Sequence, residues 1–284
     1  MSSNQLHPVL YKLFSHRGHS PQDIVDFLSW DLKSLPDLTH MHDLDRAARR
    51  IITAILKEET LGVFGDYDVD GTTSCALLFH FFHSLGVPVE IFQPGRFREG
   101  YGIHPSSIDV AIAKGVKVLI TVDCGISNVE TADYVLERDL DLIITDHHKD
   151  GRERLPPAYA VVNPNRRDEP EDSPLRALAG VGVAFALAVK IKKILEQEYA
   201  RSVPSTYPLL QFVAIGTLCD LALLNVLNHR LTKHGLKQMK DNPYPGVRAF
   251  LKDEDLVKDF VASDKVAFFI GPLINSMGRS YPRP

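Results

Sequence analysis

Three short apolar runs in this chain are each followed at once by acidic or imidazole side chains. The runs cover residues 61–64, 117–122 and 142–145 and are rich in Val, Ile and Leu, as expected for strands buried on both faces of a parallel sheet. Residues just past the carboxyl ends of such strands converge in one crevice. The side chains that should meet there are Asp66, Asp68 and Asp70, then Asp123, then Asp146, His147 and His148.

Strand-like and helix-like segments alternate through the middle of the chain. Two further runs, at residues 87–92 and 158–164, bring the predicted number of strands to about five, with helices between them. We therefore predict an α/β fold with a doubly wound, mainly parallel sheet of about five strands flanked by helices. Residues 1–58 are predicted to form an N-terminal helical lead, and residues 226–284 a helical C-terminal extension.

Composition limits the class of protein. A net charge of −4 and a pI near 6.3 argue against a protein that coats nucleic acid through its overall charge, so any polyanion site is expected to be local. The cysteines, Cys75, Cys124 and Cys219, lack the CxxC spacing that is typical of a zinc site. We find no secretory leader and no apolar run of about 18 residues, so we expect a soluble cytoplasmic protein without a membrane span.

Carboxylates and imidazoles without a thiolate cluster are the donors that Mg²⁺ or Mn²⁺ prefers. Two such ions about 3.5 to 4 Å apart can polarise a phosphodiester and activate water. Because the acids of DYDVD alternate, an extended segment would place Asp66, Asp68 and Asp70 on one face, ahead of a helix predicted at residues 72–85. A single aspartate before a helix is often only an N-cap. The convergence of three clusters is what predicts a metal site.

Several longer strings resemble a known family. GDYDVDGTTS, TVDCGIS, TDHHKDG and GTLCD, in this order, resemble the four motifs of the DHH phosphoesterase superfamily. Within it, the strings FQPGRFREGYGI, VVNPN, LAGVGVAFALA and GPLINSMGR resemble the RecJ-like single-strand-specific exonucleases, and the similarity runs from about Val9 to Arg279. The resemblance implies two Mn²⁺ or Mg²⁺ ions as cofactors and hydrolysis of single-stranded DNA from its 5′ end to mononucleotides.

The resemblance also implies a division of the chain and a set of metal ligands. Residues 59–225 would form the catalytic domain, and residues 226–284 would be connecting helices and the start of a truncated second domain. One ion would be held by Asp68 and Asp123, and the other by Asp70, Asp123, His147 and Asp220. Asp123 would therefore bridge the two ions.

Further residues receive roles from the same motifs. Asp66 would orient a ligand or a water molecule from outside the ligand set, and His148 would contact the scissile phosphate or assist the leaving oxygen. The residues expected to bind the DNA are Arg96, Tyr101, Asn275 and Arg279.

The chain departs from the family pattern at two positions. Cys124 stands where these enzymes usually have Asn after the bridging aspartate, and Leu273 stands where a GPR string usually has Arg. Neither departure removes an expected metal ligand, but both bear on contacts to phosphate or base. Substrate preference is therefore less firmly predicted than hydrolysis.

Two alternatives stay open at this point. The chain could be a small-substrate phosphoesterase of the superfamily, acting on oligoribonucleotides, cyclic dinucleotides or pyrophosphate. It could also be a non-catalytic subunit of a replication assembly, in which metal ligands are commonly lost. For the exonuclease, the expected partner is single-stranded DNA, with a single-strand-binding protein or a helicase as candidate protein partners.

Overall fold

The centre of the fold is a sheet of parallel strands. A computed structural model describes residues 7–94, 102–149, 151 and 154–279. Within these ranges the strands are β1 (Thr60–Gly65), β2 (Val89–Phe92), β3 (Val116–Val122), β4 (Asp141–Thr145) and β5 (Ala160–Val162). They pair in the order β2-β1-β3-β4-β5, and every pair is parallel. The predicted parallel sheet of about five strands is confirmed.

Helices connect and cover the strands. In the described ranges the α-helices are α1 (Pro8–His16), α2 (Pro21–Leu28), α3 (Leu44–Leu56), α4 (Val69–Ser84), α5 (Pro105–Ala113), α6 (Val129–Leu136), α7 (Gly180–Glu198), α8 (Leu210–Cys219), α9 (Val226–Asp241), α10 (Pro245–Arg248), α11 (Asp253–Leu256), α12 (Ser263–Lys265) and α13 (Gly271–Arg279). Short 3₁₀ helices cover Pro174–Ala177 and Tyr207–Leu209, and Val266–Ile270 is a π-helical turn. None of the described helices combines the length and apolar character needed to span a bilayer.

The strand order reverses between β1 and β3. From β1 the chain adds β2 on one side of the sheet, and it then returns to add β3, β4 and β5 on the other side. In a doubly wound sheet, ligands bind beyond the carboxyl ends of the strands at such a reversal. The topology therefore places the candidate crevice at the ends of β1 and β3.

The register of the sheet places four polar residues at matching positions just past the ends of neighbouring strands. The paired residues at the ends of four neighbouring strands are Gly65, Val122, Thr145 and Val162. The next residues along those strands are Asp66, Asp123, Asp146 and Asn163. The ladder continues through two of them, because Asp123 N donates to Thr145 O and Asp146 N donates to Val162 O, each at 3.0 Å. These four residues thus leave the sheet side by side.

Alternate strand residues enter two separate hydrophobic cores. Ile120 and Ile143 belong to a core that includes residues of α3, α4, α7, α8 and α9, whereas their neighbours Leu119 and Ile144 pack with residues of α5 and α6 on the opposite face. This is the side-chain period of a strand buried on both faces. The larger core draws on all three predicted segments. The segment boundaries themselves stay a prediction.

One buried arginine joins the N-terminal helices to the rest of the fold. Arg230 on α9 is 2% exposed. Its guanidinium donates to Asp26 O at 2.8 Å, to Asp31 O at 2.9 Å and to Ser34 Oγ at 2.6 Å. The planar fork of a guanidinium suits several acceptors at once. Arg230 therefore holds the end of α2 and the loop after it against α9.

We expect Arg230→Met to lower the free energy of unfolding by about 2 kcal/mol, because the buried acceptors lose their donor while the aliphatic packing is kept. Urea denaturation measured by circular dichroism checks this. Lys237→Met on the same helix, where the side chain is 43% exposed, should change stability by less than about 0.5 kcal/mol. Equal midpoints for the two variants would show that Arg230 does not anchor the N-terminal helices.

Candidate metal centre

Seven acidic and imidazole side chains lie together at the carboxyl edge of the sheet. Their ligand atoms form three groups, and within each group the atoms lie no more than 4.8 Å apart. The groups are Asp66, Asp68 and Asp123; Asp123, His147 and His148; and Asp70, His147 and Asp220. Because Asp123 and His147 each belong to two groups, the three groups form one continuous cluster. The fold thus brings together every side chain for which a catalytic role was predicted.

The three aspartates after β1 do not lie in one extended segment. Helix α4 begins at Val69, because the Asp68 carboxylate accepts a hydrogen bond from Gly71 N at 2.9 Å and caps the helix. Asp70 therefore lies in the first turn of α4 and joins a different ligand group from Asp66. The prediction that the three aspartates share one face was wrong, because Asp68 caps a helix that begins directly after the strand.

Asp70 is buried against the start of α7. Its Oδ2 accepts a hydrogen bond from Gly180 N at 2.6 Å, and its Oδ1 accepts one from Val181 N at 2.9 Å. The first amides of a helix have no partner inside the helix and carry the positive end of its dipole, so they stabilise a carboxylate. Long-range folding therefore sets the position of Asp70, because Gly180 lies 110 residues further along the chain.

Asp123 lies at the centre of the cluster in an uncommon backbone conformation. Its φ of 60° falls in the left-handed region, which aspartate tolerates better than most residues with a side chain. The side chain lies against Gly180, where an added Cβ would come within 2.7 Å of Asp123 Cβ and 2.8 Å of Oδ1. Position 180 therefore has no room for a side chain unless Asp123 moves.

Asp146 holds the turn that carries the two histidines. It is fully buried, and its Oδ1 accepts hydrogen bonds from His147 N at 2.7 Å and His148 N at 3.1 Å. The same oxygen lies 2.8 Å from His148 Nδ1, and Oδ2 accepts a hydrogen bond from Ile126 N at 2.9 Å. The sequence motif gave Asp146 a place in the cluster but no role. Its hydrogen bonds show that Asp146 orients His148.

Three buried ligand atoms have no hydrogen-bond partner among the described residues. They are Asp66 Oδ1, Asp123 Oδ1 and His147 Nε2. His147 Nε2 lies 3.1 Å from Asp123 Oδ1 and 3.7 Å from Asp70 Oδ2. Burial lowers the pKa of His147, which favours the neutral ring that a metal ligand requires. Unpaired buried polar atoms are rare, and these oxygen and nitrogen donors fit a divalent cation.

Burial, reinforced by the crowding of like charges, raises the pKa of the clustered acids. Burial raises the pKa of Asp66 to about 6, and the nearby Asp68 adds repulsion. Burial likewise raises the pKa of Asp70 to about 7, with a further contribution from Asp220. The pKa of Asp123 is raised well above its usual range, first by burial and then by Asp70. A bound cation would reverse these shifts, because it stabilises the ionised forms.

The predicted DNA-binding residues are placed only in part. Arg96 and Tyr101 lie outside the described residues. Arg279 is the last residue of α13, and its side chain lies outside the described part of the chain, whereas Asn275 is half-buried on the same helix. Helix α13 starts at Gly271, which packs against the Cys219 side chain beside Asp220. The roles of these four residues stay predictions.

A family model matches the part of the chain that forms the sheet and most of the cluster. The model described as the DHH family, N-terminal domain, matches residues 60–217, which include β1 to β5 and the residues of the cluster up to His148. The chain belongs to the DHH family.

Individual relatives and solved structures show which proteins of known sequence and structure the chain resembles. The chain is 33% identical over 283 residues to the single-stranded-DNA-specific exonuclease RecJ of Escherichia coli K12, covering 97% of this chain and 48% of the relative. A crystal structure of exonuclease RecJ bound to manganese is 31% identical, with a TM-score of 0.74, over 86% of this chain and 60% of that one. RecJ in complex with Mn²⁺ from Thermus thermophilus is 28% identical, with a TM-score of 0.77, over 98% of this chain and 38% of that one. The chain spans about half the length of the curated relatives it matches.

We expect Gly180→Ala to weaken Mn²⁺ binding about tenfold or more, because the new methyl group would displace the Asp123 carboxylate. Isothermal titration calorimetry measures this directly. Gly246→Ala is the matched control, since nothing lies within 4 Å of a Cβ at that position, and it should keep the wild-type affinity. Wild-type affinity in the Gly180→Ala protein would disprove the close approach of α7 to Asp123.

The raised pKa of Asp66 makes stability depend on pH in the metal-free protein. A folded pKa of about 6, above the ordinary 3.8, means that this contribution to stability is complete below about pH 4 and is lost as the pH rises through about 6. Asp66→Asn should therefore gain stability relative to the wild type, on the order of 2 kcal/mol, as the pH rises from about 4 to about 7. Groups that do not interact with Asp66 cancel in the difference, and relief of the repulsion between Asp66 and the nearby Asp68 and Asp123 adds to the gain.

Thermal unfolding in EDTA at a series of pH values tests this expectation. Saturating Mn²⁺ should reverse the order of the two proteins at about pH 8, because the cation stabilises the ionised Asp66 of the wild type. The interpretation fails if the stability difference between the two proteins is the same at every pH.

Proposed function

We propose that this chain is the catalytic part of a RecJ-like exonuclease that depends on Mn²⁺ or Mg²⁺. It hydrolyses single-stranded DNA from the 5′ end and releases mononucleotides. The observation that carries the proposal is the cluster of seven acidic and imidazole side chains, three of which have a buried polar atom without a hydrogen-bond partner among the described residues. Similarity to proteins named single-stranded-DNA-specific exonucleases supports the choice of substrate. Because the chain spans about half their length, substrate and direction belong to the proposal.

The proposed ligand sets are those that the family resemblance implies, and their members all lie in the cluster. Asp68 and Asp123 would hold one ion, and Asp70, Asp123, His147 and Asp220 the other. When bound, such a pair of cations polarises a phosphodiester and activates water for attack on phosphorus. Asp66 is also close enough to Asp68 and Asp123 to ligate directly, and we propose that it orients a ligand or a water molecule from outside the ligand set.

The chain's own groups orient the reacting parts. The α7 amides that hold Asp70 fix both of its oxygens, so little reorganisation is needed when a substrate binds. Asp146 fixes the imidazole of His148 and raises its pKa through their hydrogen bond. The imidazolium form is thereby favoured, and it can donate to a phosphate oxygen or protonate a leaving oxygen.

The two alternatives make different demands on the chain. A non-catalytic subunit commonly lacks metal ligands, whereas every ligand expected from the resemblance is present here. A small-substrate phosphoesterase would prefer dinucleotides or pyrophosphate over long strands, and the RecJ-like strings outside the metal site argue against it. Rates on a long single strand, a dinucleotide, a cyclic dinucleotide and pyrophosphate, compared side by side, separate these functions.

Partners and location follow from the proposed substrate. Single-stranded DNA is the proposed macromolecular partner, and a single-strand-binding protein or a helicase would supply or accompany it. We propose a cytoplasmic location on the same grounds.

Asp123→Asn should reduce Mn²⁺-dependent release of mononucleotides from a 5′-labelled oligonucleotide by about a thousandfold or more, because the residue shared by two ligand groups loses its charge. Asp139→Asn is the control, since that carboxylate is 92% exposed and pairs with Lys117 outside the cluster. It should keep the wild-type rate.

Circular dichroism of the Asp123→Asn protein shows whether the fold is kept. A folded variant that still degrades DNA at the wild-type rate would rule out the proposed metal centre. Loss of activity in the Asp139→Asn control would show that the assay reports general damage.

A further inference from the structure

Two asparagines after β5 contact the histidine turn from the side opposite Asp146. Asn163 is fully buried, and its Nδ2 donates to His148 O at 2.9 Å. Asn165 Nδ2 donates to His147 O at 2.6 Å. Each asparagine therefore holds the carbonyl group of one histidine.

The two asparagines also hold each other. Asn163 Oδ1 accepts a hydrogen bond from Asn165 N at 2.7 Å, and Asn165 Nδ2 lies 3.3 Å from Arg176 O in the 3₁₀ helix that precedes α7. The asparagine pair is thus tied both to β5 and to the segment that leads into α7. Its geometry is therefore set by β5, which pairs with β4, and by the segment that leads into α7.

The histidine turn is consequently fixed on both sides of its backbone. Asp146 accepts hydrogen bonds from the amides of His147 and His148, while the asparagine pair donates to their carbonyls. With the peptide planes held, the direction of each Cα–Cβ bond is held too. Fixed backbones of this kind limit the positions that an imidazole can reach, and partners behind metal ligands tune metal affinity in general.

We infer that Asn163 and Asn165 are positioning residues for the two histidines, each with a separate task. Asn165 sets His147 for ligation of a divalent cation, and Asn163 sets His148 for contact with the phosphate. The inference rests on the proposed function, because it takes the roles of the histidines from it. A purely structural role would instead stabilise the loop after β5 and leave ligation unchanged.

The first measurement is Mn²⁺ affinity by calorimetry, which needs no DNA. Asn165→Ala should weaken one of the bound ions about 10- to 100-fold. Gln211→Ala is the matched control, because Gln211 is buried, donates to Pro208 O and accepts from Tyr244 N at the far end of α8 from Asp220. It should lower the melting temperature and keep the affinity for Mn²⁺.

Asn165→Asp guards against the possibility that the alanine variant does not fold. It keeps the size of the side chain but removes the donor to His147 O. Added negative charge near the site would by itself strengthen cation binding, so weaker binding in this variant reports lost orientation.

Double variants test whether each asparagine acts through the histidine whose carbonyl it contacts. In a His147→Ala background, Asn165→Ala should cause no further loss of Mn²⁺ affinity, because coupled residues give non-additive effects. Asn163→Ala should lower kcat on single-stranded DNA about 10-fold or more in the wild type. It should change kcat little in a His148→Ala background.

The outcomes separate this inference from the function on which it rests. Failure of the wild-type protein to bind Mn²⁺ would overturn the proposed function and the positioning roles together. Wild-type binding with undiminished affinity in both Asn165 variants would overturn the positioning role of Asn165 alone. Additive losses in the double variants would likewise overturn the claim that the asparagines act through the histidines.

Discussion

Burial of several carboxylates at the end of a parallel sheet, with repulsion among them, is the constraint on which the rest of this structure depends. The register that aligns the ends of β1, β3 and β4 places Asp66, Asp123 and Asp146 side by side, each almost fully buried. Burying even one unpaired charge costs several kcal/mol. The fold offsets this cost in two ways. Backbone amides donate hydrogen bonds that stabilise the ionised form of some of the acids. The others have raised pKa values, and a bound cation would stabilise their ionised forms.

The acids divide between these two solutions by position. The side chain of His148, and after it the amides of Ile126 and of the histidine turn, hold the pKa of Asp146 below its usual range despite complete burial. Asp123 has no such donors at Oδ1 among the described residues, and its pKa is raised. Asp70 is intermediate, because two α7 amides hold it while burial and Asp220 oppose its ionisation. Of these three acids, the one with the most amide partners is thus a scaffold, and the one with the fewest is the proposed bridging ligand.

Local pattern predicted the sheet and the six cluster side chains that follow its strands, because buried apolar runs and the polar residues at their ends are neighbours in the sequence. Asp220, at the end of α8, was assigned from the family resemblance alone. The start of α4 was not predicted correctly. A capping aspartate and a metal-site aspartate look alike in sequence, and Asp68 is near enough to its neighbours to be both. Contacts between residues far apart in the chain could not be predicted from sequence either. Nothing in the sequence near Gly180 indicates that Asp70 and Asp123 lie against it. The VVNPN string resembled a family motif, but only the folded positions of Asn163 and Asn165 suggest a task for it.

The departure at Cys124 bears on the choice of metal. Burial, together with the acids around it, raises the pKa of Cys124 well above its usual range, and burial raises the pKa of Cys75 and of Cys219 to about 12. Burial thus favours the protonated thiols in the metal-free protein, and none of the ligand groups found among the described residues includes a cysteine. The donors left at the site are carboxylate oxygens and imidazole nitrogens. Replacing the family's usual asparagine by this cysteine therefore leaves the site hard in character, which favours Mn²⁺ or Mg²⁺ over softer ions.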